Sequence, residues 1–176
     1  MKTVFFDVDT QIDFMFPSGA LYVPGAEQII GRVAALNQYA ASHGIPLIST
    51  MDAHAEDDPE FKIYPHHCVV GTLGQRKPAA TMAGQRIIEK QRLDCFSNPE
   101  LPKLLEELGA ERYVVYGVVT ELCVKLAAHG LLRTGRRVEI VTDAVRSLSL
   151  DAARVMLDEF RAAGGYVSDS ASILGA

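Results

Sequence analysis

The sequence predicts an α/β fold of three layers, in which a mainly parallel six-stranded sheet carries helices on both faces. Three observations carry that prediction. Short apolar runs of strand character recur at 3–8, 45–50, 86–89, 112–117, 137–142 and near 166. Segments with the three-to-four-residue apolar spacing of helices separate most of them, at 25–43, 99–108, 121–134 and 150–163. Glycines stand where those helices should stop, Gly135 after the third and Gly164 and Gly165 after the fourth. Strands that alternate with helices are joined by crossovers, and crossovers make neighbouring strands parallel.

Each element has its own warrant. The first strand is the apolar run TVFFDV, and the first helix shows Ile29, Ile30, Val33, Leu36 and Tyr39 on one face. After the strand at 45–50 the periodicity fades. Residues 51–84 are rich in Pro, Gly, His and Asp, and a loop of that length in one domain is usually functional. In RYVVYGVVTELCV the buried strand breaks at Gly117, and Thr120 reads as a helix N-cap that sets Cys123 in the first turn. There the helix dipole would favour a thiolate, and free backbone N–H groups could hold an oxyanion.

Composition bounds the function. A chain of 176 residues, 48% apolar and 22% charged, is enough for a single domain over 1–176. A net charge of −5 gives no electrostatic reason to bind nucleic acid or an anionic membrane. No stretch has the length of a membrane span, and acidic residues arrive too early in MKTVFFDVDTQ for a signal peptide, so a cytoplasmic protein is expected. Cys68, Cys95 and Cys123 are an odd number without framework spacing, which favours reduced thiols.

Ligands of open α/β sheets bind beyond the carboxyl ends of the strands, and reactive residue types collect there. Asp9 follows the first strand, Asp52 and His54 the second, Lys90 the third, Cys123 the fourth and Asp143 the fifth. A thiol that attacks a carbonyl needs a base or a neighbouring cation, and Asp9 and Lys90 supply both. A carboxylate serves as that base only if burial or a second acid raises its pKa. Asp7 would be that second acid, since strand alternation puts Asp7 and Asp9 on one face. Together Asp9, Lys90 and Cys123 suit amide hydrolysis through a thioester. Asp52, His54 and His67, with Glu60 in the same loop, offer carboxylate oxygen and imidazole nitrogen to a divalent metal: zinc first, with iron or manganese as alternatives. The separate readings are a buried Asp9–Lys90 salt bridge, an inert core cysteine and solvated loop histidines.

The segments DTQIDF, MDAH and YPHHCVVGT, the strand-end Lys90 and YGVVTELCV resemble, in this order, the isochorismatase-like cysteine hydrolases, and particularly their nicotinamidase/pyrazinamidase branch. The resemblance implies a triad of Asp9, Lys90 and Cys123. It implies a cis peptide between Val118 and Val119 that aims the N–H groups of Val119 and Cys123 at an oxyanion. It also implies metal ligands at Asp52, His54 and His67, a fourth at Glu60, and Phe14 and Tyr64 flanking a nicotinamide ring. The activity it implies is deamidation of a small aromatic amide, nicotinamide to nicotinate and ammonia, by a homo-oligomer. Relatives on the same scaffold act on other small amides or cleave the vinyl ether of isochorismate. The chain departs from the pattern at Asp7, usually an apolar strand residue, and at Val119, where alanine is common.

Two rivals follow from the same residues. FFDVDTQ also resembles the Asp-x-Asp-x-Thr opening of haloacid dehalogenase-type phosphatases, with Asp7 as nucleophile, Asp9 as acid/base and Mg²⁺ as cofactor. That reading explains one motif, and the later strand that should end in an acidic cluster ends in GVVTELCV. A non-enzymatic binding module or scaffold is the third class, and it would be favoured had Asp9, Lys90 or Cys123 been absent.

Overall fold

The computed structural model describes residues 1–175. Six strands form one sheet: β1 (Thr3–Val8), β2 (Leu47–Asp52), β3 (Arg86–Lys90), β4 (Arg112–Val118), β5 (Arg137–Arg146) and β6 (Tyr166–Ser168). Their spatial order is β3-β2-β1-β4-β5-β6, and every pairing is parallel. The chain builds outward from β1 through β2 to β3, then returns to the other side of β1 with β4. The order therefore reverses between β1 and β4, and the crevice at their carboxyl ends is where open sheets of this order bind ligands.

The sheet is covered on both faces, as an all-parallel sheet must be. On one face Val4, Phe6 and Val8 pack with Leu101, Leu104 and Leu105 of α3 (Glu100–Leu108), Ala127 and Leu131 of α4 (Lys125–Leu132), and Met156 and Phe160 of α5 (Leu150–Ala162). On the other, Phe5, Val114 and Tyr116 pack with Val33, Leu36 and Ala40 of α2 (Ile30–Ser42). Gly117 has φ +121, and a Cβ there would run into the backbone of Val8, so β1 and β4 approach closely where the order reverses.

Several boundaries differ from expectation. The helix expected at 25–43 is a 3-10 turn (Ala26–Ile29) leading into α2, because Gly25 enters in the left-handed region. The helix expected at 121–134 opens as a π-helical turn (Thr120–Val124) before α4. Thr120 is not its N-cap: its Oγ1 donates to the Arg146 carbonyl at 2.9 Å, tying β5 to the turn instead. A register shift between Val115 and Gly117 lets β5 run on to Arg146, so Asp143 lies within that strand and not at its end. Its carboxylate accepts from the Ser170 N–H and Oγ and pairs with Arg32 at 2.9 Å, which removes it from the functional group. Two short helices had no periodic signal, α1 (Ile12–Met15) and α6 (Ser170–Leu174).

Candidate active site and metal centre

Asp9 is the first residue past β1, and its φ of 49° lies in the left-handed region, which aspartate tolerates better than most side chains. That turn ends the strand alternation. Asp7 accepts from Ser49 and Asp9 from Thr50, neighbours in β2 that point to opposite faces. The expectation that Asp7 and Asp9 share a face is therefore incorrect. Asp7 is fully buried beneath α2 and accepts from Thr10 Oγ1 (2.7 Å), Ser49 Oγ (2.8 Å), Asn37 Nδ2 (3.3 Å) and Lys77 Nζ (3.3 Å). A carboxylate so enclosed cannot be a phosphoryl-accepting nucleophile, and the phosphatase reading fails with it.

The second acid beside Asp9 is Asp52. Burial raises the pKa of Asp9 above its ordinary 3.8, the Lys90 ammonium opposes that, and the Asp52 carboxylate adds to it. Lys90, at the end of β3, lies 2.9 Å from Asp9 Oδ2, forms a short ion pair with Asp52 Oδ1, and stands 3.8 Å from Cys123 Sγ. Burial alone would lower its pKa, but Asp9, Cys123 and Asp52 hold it well above the ordinary lysine range. Asp9 Oδ1 accepts from Thr50 Oγ1 at 2.6 Å, whereas buried Oδ2 faces only the Lys90 ammonium at 2.9 Å. Cys123 sits in the π-helical turn. Burial pushes its thiol well above 9, Lys90 opposes that, and the carboxylates of Asp9 and Asp52 add to the rise. Burial thus works against the thiolate that the helix end was expected to favour, and a nucleophile at this position needs a base.

Asp52, His54 and His67 bring Asp52 Oδ2, His54 Nε2 and His67 Nε2 together; Oδ2 lies 3.8 and 3.9 Å from the two ring nitrogens. Each ring is set from behind, as metal-binding imidazoles usually are. Nδ1 of His54 meets Asp58 Oδ2 at 3.0 Å, and Nδ1 of His67 meets the Pro65 carbonyl at 2.7 Å. His54 Nε2 is left buried without a hydrogen-bond partner, aimed into the cluster. Burial opposes protonation of His54, yet Asp52 and Asp58 push its pKa up to about 9. Two imidazoles and a carboxylate with an orphaned ring nitrogen fit a divalent metal. Glu60 falls in an overlapping cluster with His54 and Asp58, and burial raises its pKa.

Sequence reasoning treated the triad and the metal set as separate groups; Lys90 joins them through Asp9 and Asp52. It also missed two supporting side chains. Gln11 Nε2 donates to the carbonyls of Asp52 and Gln75, and its Oε1 accepts from the Asp52 N–H at 2.7 Å. Gln11 stands inside the DTQIDF motif, so its position was visible although its partners were not. Asp58 is one acid among several in AEDDPE, and nothing in the sequence distinguishes it.

The remaining cysteines are apart from this group. Cys68 is buried, has a left-handed φ of 47°, and its N–H is held by Asp13 Oδ2 at 2.7 Å. Burial raises the Cys68 thiol far up and pushes Cys95 to about 12. His43 caps α2, His66 stacks on Phe61 and His129 packs edge-on against Phe160.

The groups meet at a cavity of about 50 Å³ beyond the carboxyl ends of β1 and β4, lined by Asp9, Phe14, Leu21, Val23, Asp52, Glu60, Tyr64, His67, Leu93, Val118, Val119, Leu122, Cys123 and Leu148. The peptide between Val118 and Val119 is cis. Phe14 and Tyr64 both lie against His67, with ring centroids 5.5 and 6.4 Å away. A family model for the isochorismatase domain matches residues 3–172. This chain belongs to the isochorismatase domain family.

Within the family it is 26% identical over 175 residues to the nicotinamidase/pyrazinamidase of Mycobacterium tuberculosis, covering 89% of this chain and 92% of that one. It is 30% identical over 160 residues to streptothricin hydrolase of Streptomyces noursei, but spans only 54% of that protein's length. The pyrazinamidase of Pyrococcus horikoshii, solved in complex with zinc, superposes with a TM-score of 0.90 at 28% identity, covering 96% of this chain and 99% of that one. These relatives set the chain on the nicotinamidase/pyrazinamidase branch of the isochorismatase family, among amide-hydrolysing enzymes.

Proposed function

We propose that this protein is a metal-assisted cysteine amidohydrolase that deamidates a small aromatic amide, nicotinamide to nicotinate and ammonia, through a thioester on Cys123. The observation that carries the reading is one buried cation, Lys90, that lies 2.9 Å from the Asp9 carboxylate and 3.8 Å from the Cys123 thiol at the wall of an apolar cavity. Cys123 Sγ attacks the amide carbonyl carbon while its proton passes to Asp9 Oδ2, the oxygen whose close partner is the Lys90 ammonium at 2.9 Å. The developing oxyanion is received by the N–H groups of Val119 and Cys123. The C–N bond then breaks, and the proton moves from Asp9 to the leaving nitrogen, which departs as ammonia. Water attacks the thioester, Asp9 takes its proton, the C–S bond breaks, and the acid leaves with the thiol restored. Lys90 stays protonated throughout, orienting Asp9 and lowering the cost of charge at Sγ.

The substrate ring stands between Phe14 and Tyr64. Asp52, His54 and His67 would hold the metal, with Glu60 as a further ligand. A zinc ion there, or iron or manganese, would supply Lewis acidity toward a ring nitrogen. A cytoplasmic homo-oligomer is part of the same proposal; no helix among the described residues is long and apolar enough to cross a membrane.

The test is ammonia release from nicotinamide, pyrazinamide and aliphatic amides by the parent and Cys123→Ala. The parent should prefer the heteroaromatic amides, and Cys123→Ala should fall to background because the covalent route is gone. Activity retained in the alanine variant rules out the thioester. Iodoacetamide should alkylate Cys123 ahead of Cys68 and Cys95, since only Cys123 lines the cavity.

A further inference from the structure

Asp13 takes no part in the chemistry above, yet its carboxylate joins two walls of the cavity. Oδ2 accepts from the Cys68 N–H at 2.7 Å, and Oδ1 accepts from the Ala20 N–H at 3.0 Å. Each bond leads within three residues to side chains that line the site.

On the Oδ2 side stands the metal set. Cys68 follows His67 directly, and its carbonyl accepts from the His54 N–H at 3.1 Å, so one residue is joined to both histidines. Cys68 holds a left-handed φ of 47°, a conformation that costs a residue with a Cβ energy and persists only where its surroundings fix it. The charge-assisted hydrogen bond to Asp13 is the restraint on its N–H.

On the Oδ1 side stands the wall that faces the substrate. Beyond α1 the chain folds back on it: Ala20 bonds to the Asp13 carboxylate, the Leu21 N–H to the Asp13 carbonyl at 3.2 Å, and the Val23 N–H to the Phe14 carbonyl at 2.9 Å. Leu21 and Val23 line the cavity beside Phe14. Gly74 closes the arrangement from behind. Its carbonyl accepts from the Asp13 N–H at 3.0 Å, and a Cβ on it would stand 2.1 Å from Asp13 Oδ2 and 2.3 Å from Oδ1. The carboxylate is thus seated against Gly74 with one backbone N–H on each oxygen.

We propose that Asp13 is a positioning residue that couples the metal centre to the substrate-facing wall: one carboxylate sets both the segment bearing His67 and the segment bearing Leu21 and Val23. This deepens the amidase reading and rests on it, since His67 is taken there as a metal ligand and Phe14 as a flank of the substrate ring. With a divalent ion on His67, Cys68 is held more firmly, and Asp13 passes that order to residues 20–23. Such coupling is reciprocal, so loosening the wall weakens the metal site.

Two variants test it. Asp13→Ala removes both side-chain bonds. Gly74→Ala keeps Asp13 and its charge but drives the carboxylate from its seat, and the φ of Gly74 is not left-handed, so its backbone accepts alanine. If Asp13→Ala does not fold, Gly74→Ala decides alone.

The first readout is zinc affinity of the metal-free protein, measured against a chromogenic chelator with no substrate present. Asp13→Ala should bind zinc roughly tenfold or more weakly, the usual cost of losing a group behind a metal ligand, and Gly74→Ala should shift the same way. The second is steady-state turnover of nicotinamide at saturating zinc. KM should rise about fivefold, the loss of one net hydrogen bond, with kcat changed less, because Lys90 holds Asp9 and Cys123 without Asp13. A merely structural role would lower the active fraction, and with it kcat, and leave KM alone. The third is hydrogen exchange over residues 16–23, which zinc should slow in the parent and slow much less in Gly74→Ala.

Zinc affinity and KM both within about twofold of the parent overturn the proposal. A shift in one without the other overturns the coupling, as does exchange over 16–23 that zinc leaves unaltered in the parent. If the parent binds zinc but releases no ammonia from nicotinamide, the amidase reading falls, and zinc affinity and exchange still judge Asp13.

Discussion

Two aspartates at the end of β1 sit two residues apart, both fully buried or nearly so, and have opposite characters. Asp7 faces α2 and is surrounded by donors: Thr10, Ser49, Asn37 and the Lys77 ammonium. Asp9 has one hydroxyl on Oδ1, a lysine beside Oδ2 and a second carboxylate nearby, and its pKa is raised. Burial is common to both, so burial is not what makes a carboxylate reactive. The difference is how many donors surround it, and whether the oxygen held only by an ion pair belongs to a cavity that also holds a nucleophile.

The largest effect should come from Asp9→Asn. The amide keeps an oxygen for Thr50 and leaves Lys90 paired with Asp52, so the fold should be little disturbed, but no base remains for the thiol. Loss of a general base costs roughly 10²–10⁴ in kcat, measured as ammonia release. An Asp9→Asn variant with near-parental turnover would erase the distinction between the two aspartates.

Asp7→Ala should do the reverse. It strands the buried Lys77, and removing one member of a buried pair costs about 3–5 kcal/mol of stability, read by urea unfolding, while the folded fraction keeps its turnover number. Pairing Asp7→Leu with Lys77→Met removes both charges and should recover most of that loss, because apolar replacement of a whole buried pair is often neutral. A fall in kcat without loss of stability would give Asp7 a part in the chemistry and break the comparison from the other side.

This contrast also marks where the sequence was legible. The alternation of apolar runs placed all six strands, because a parallel sheet covered on both faces needs continuous apolar segments, and these are local. Strand ends then located Asp9, Asp52, Lys90 and Cys123 as neighbours, since a parallel sheet collects its carboxyl ends on one edge. Asp143 failed the same argument because the register shift opposite Val115 lengthens β5, and a bulge leaves no local signature. The pairing of Asp7 with Asp9 failed because alternation holds only within a strand, and Asp9 turns left-handed one residue beyond it. Lys77, Gln11, Asp58 and Asp13 were opaque for another reason. Each acts through hydrogen bonds or an ion pair set by the fold, and Lys77 reaches across 70 residues to Asp7.

The smallest effects come from a matched pair of threonines and test the comparison most finely. Thr10 Oγ1 donates to Asp7 at 2.7 Å and Thr50 Oγ1 to Asp9 at 2.6 Å, so valine at either position removes one hydrogen bond to a buried carboxylate at nearly constant volume. Asp7 keeps three other donors, so Thr10→Val should cost about 1 kcal/mol of stability and leave the pH dependence of kcat/KM in place. Asp9 has no such reserve. Thr50 holds its pKa down, so without that hydroxyl the carboxyl retains its proton to higher pH. Asp9 must be ionised to accept the thiol proton, and its acid limb therefore lies above 3.8 in the parent. In Thr50→Val that limb should move further up, by roughly one pH unit for a charged hydrogen bond of about 1.5 kcal/mol. Equal pH profiles in the two variants would mean that donor saturation does not separate the aspartates. A limb that moved down in Thr50→Val would place the required proton elsewhere than Asp9.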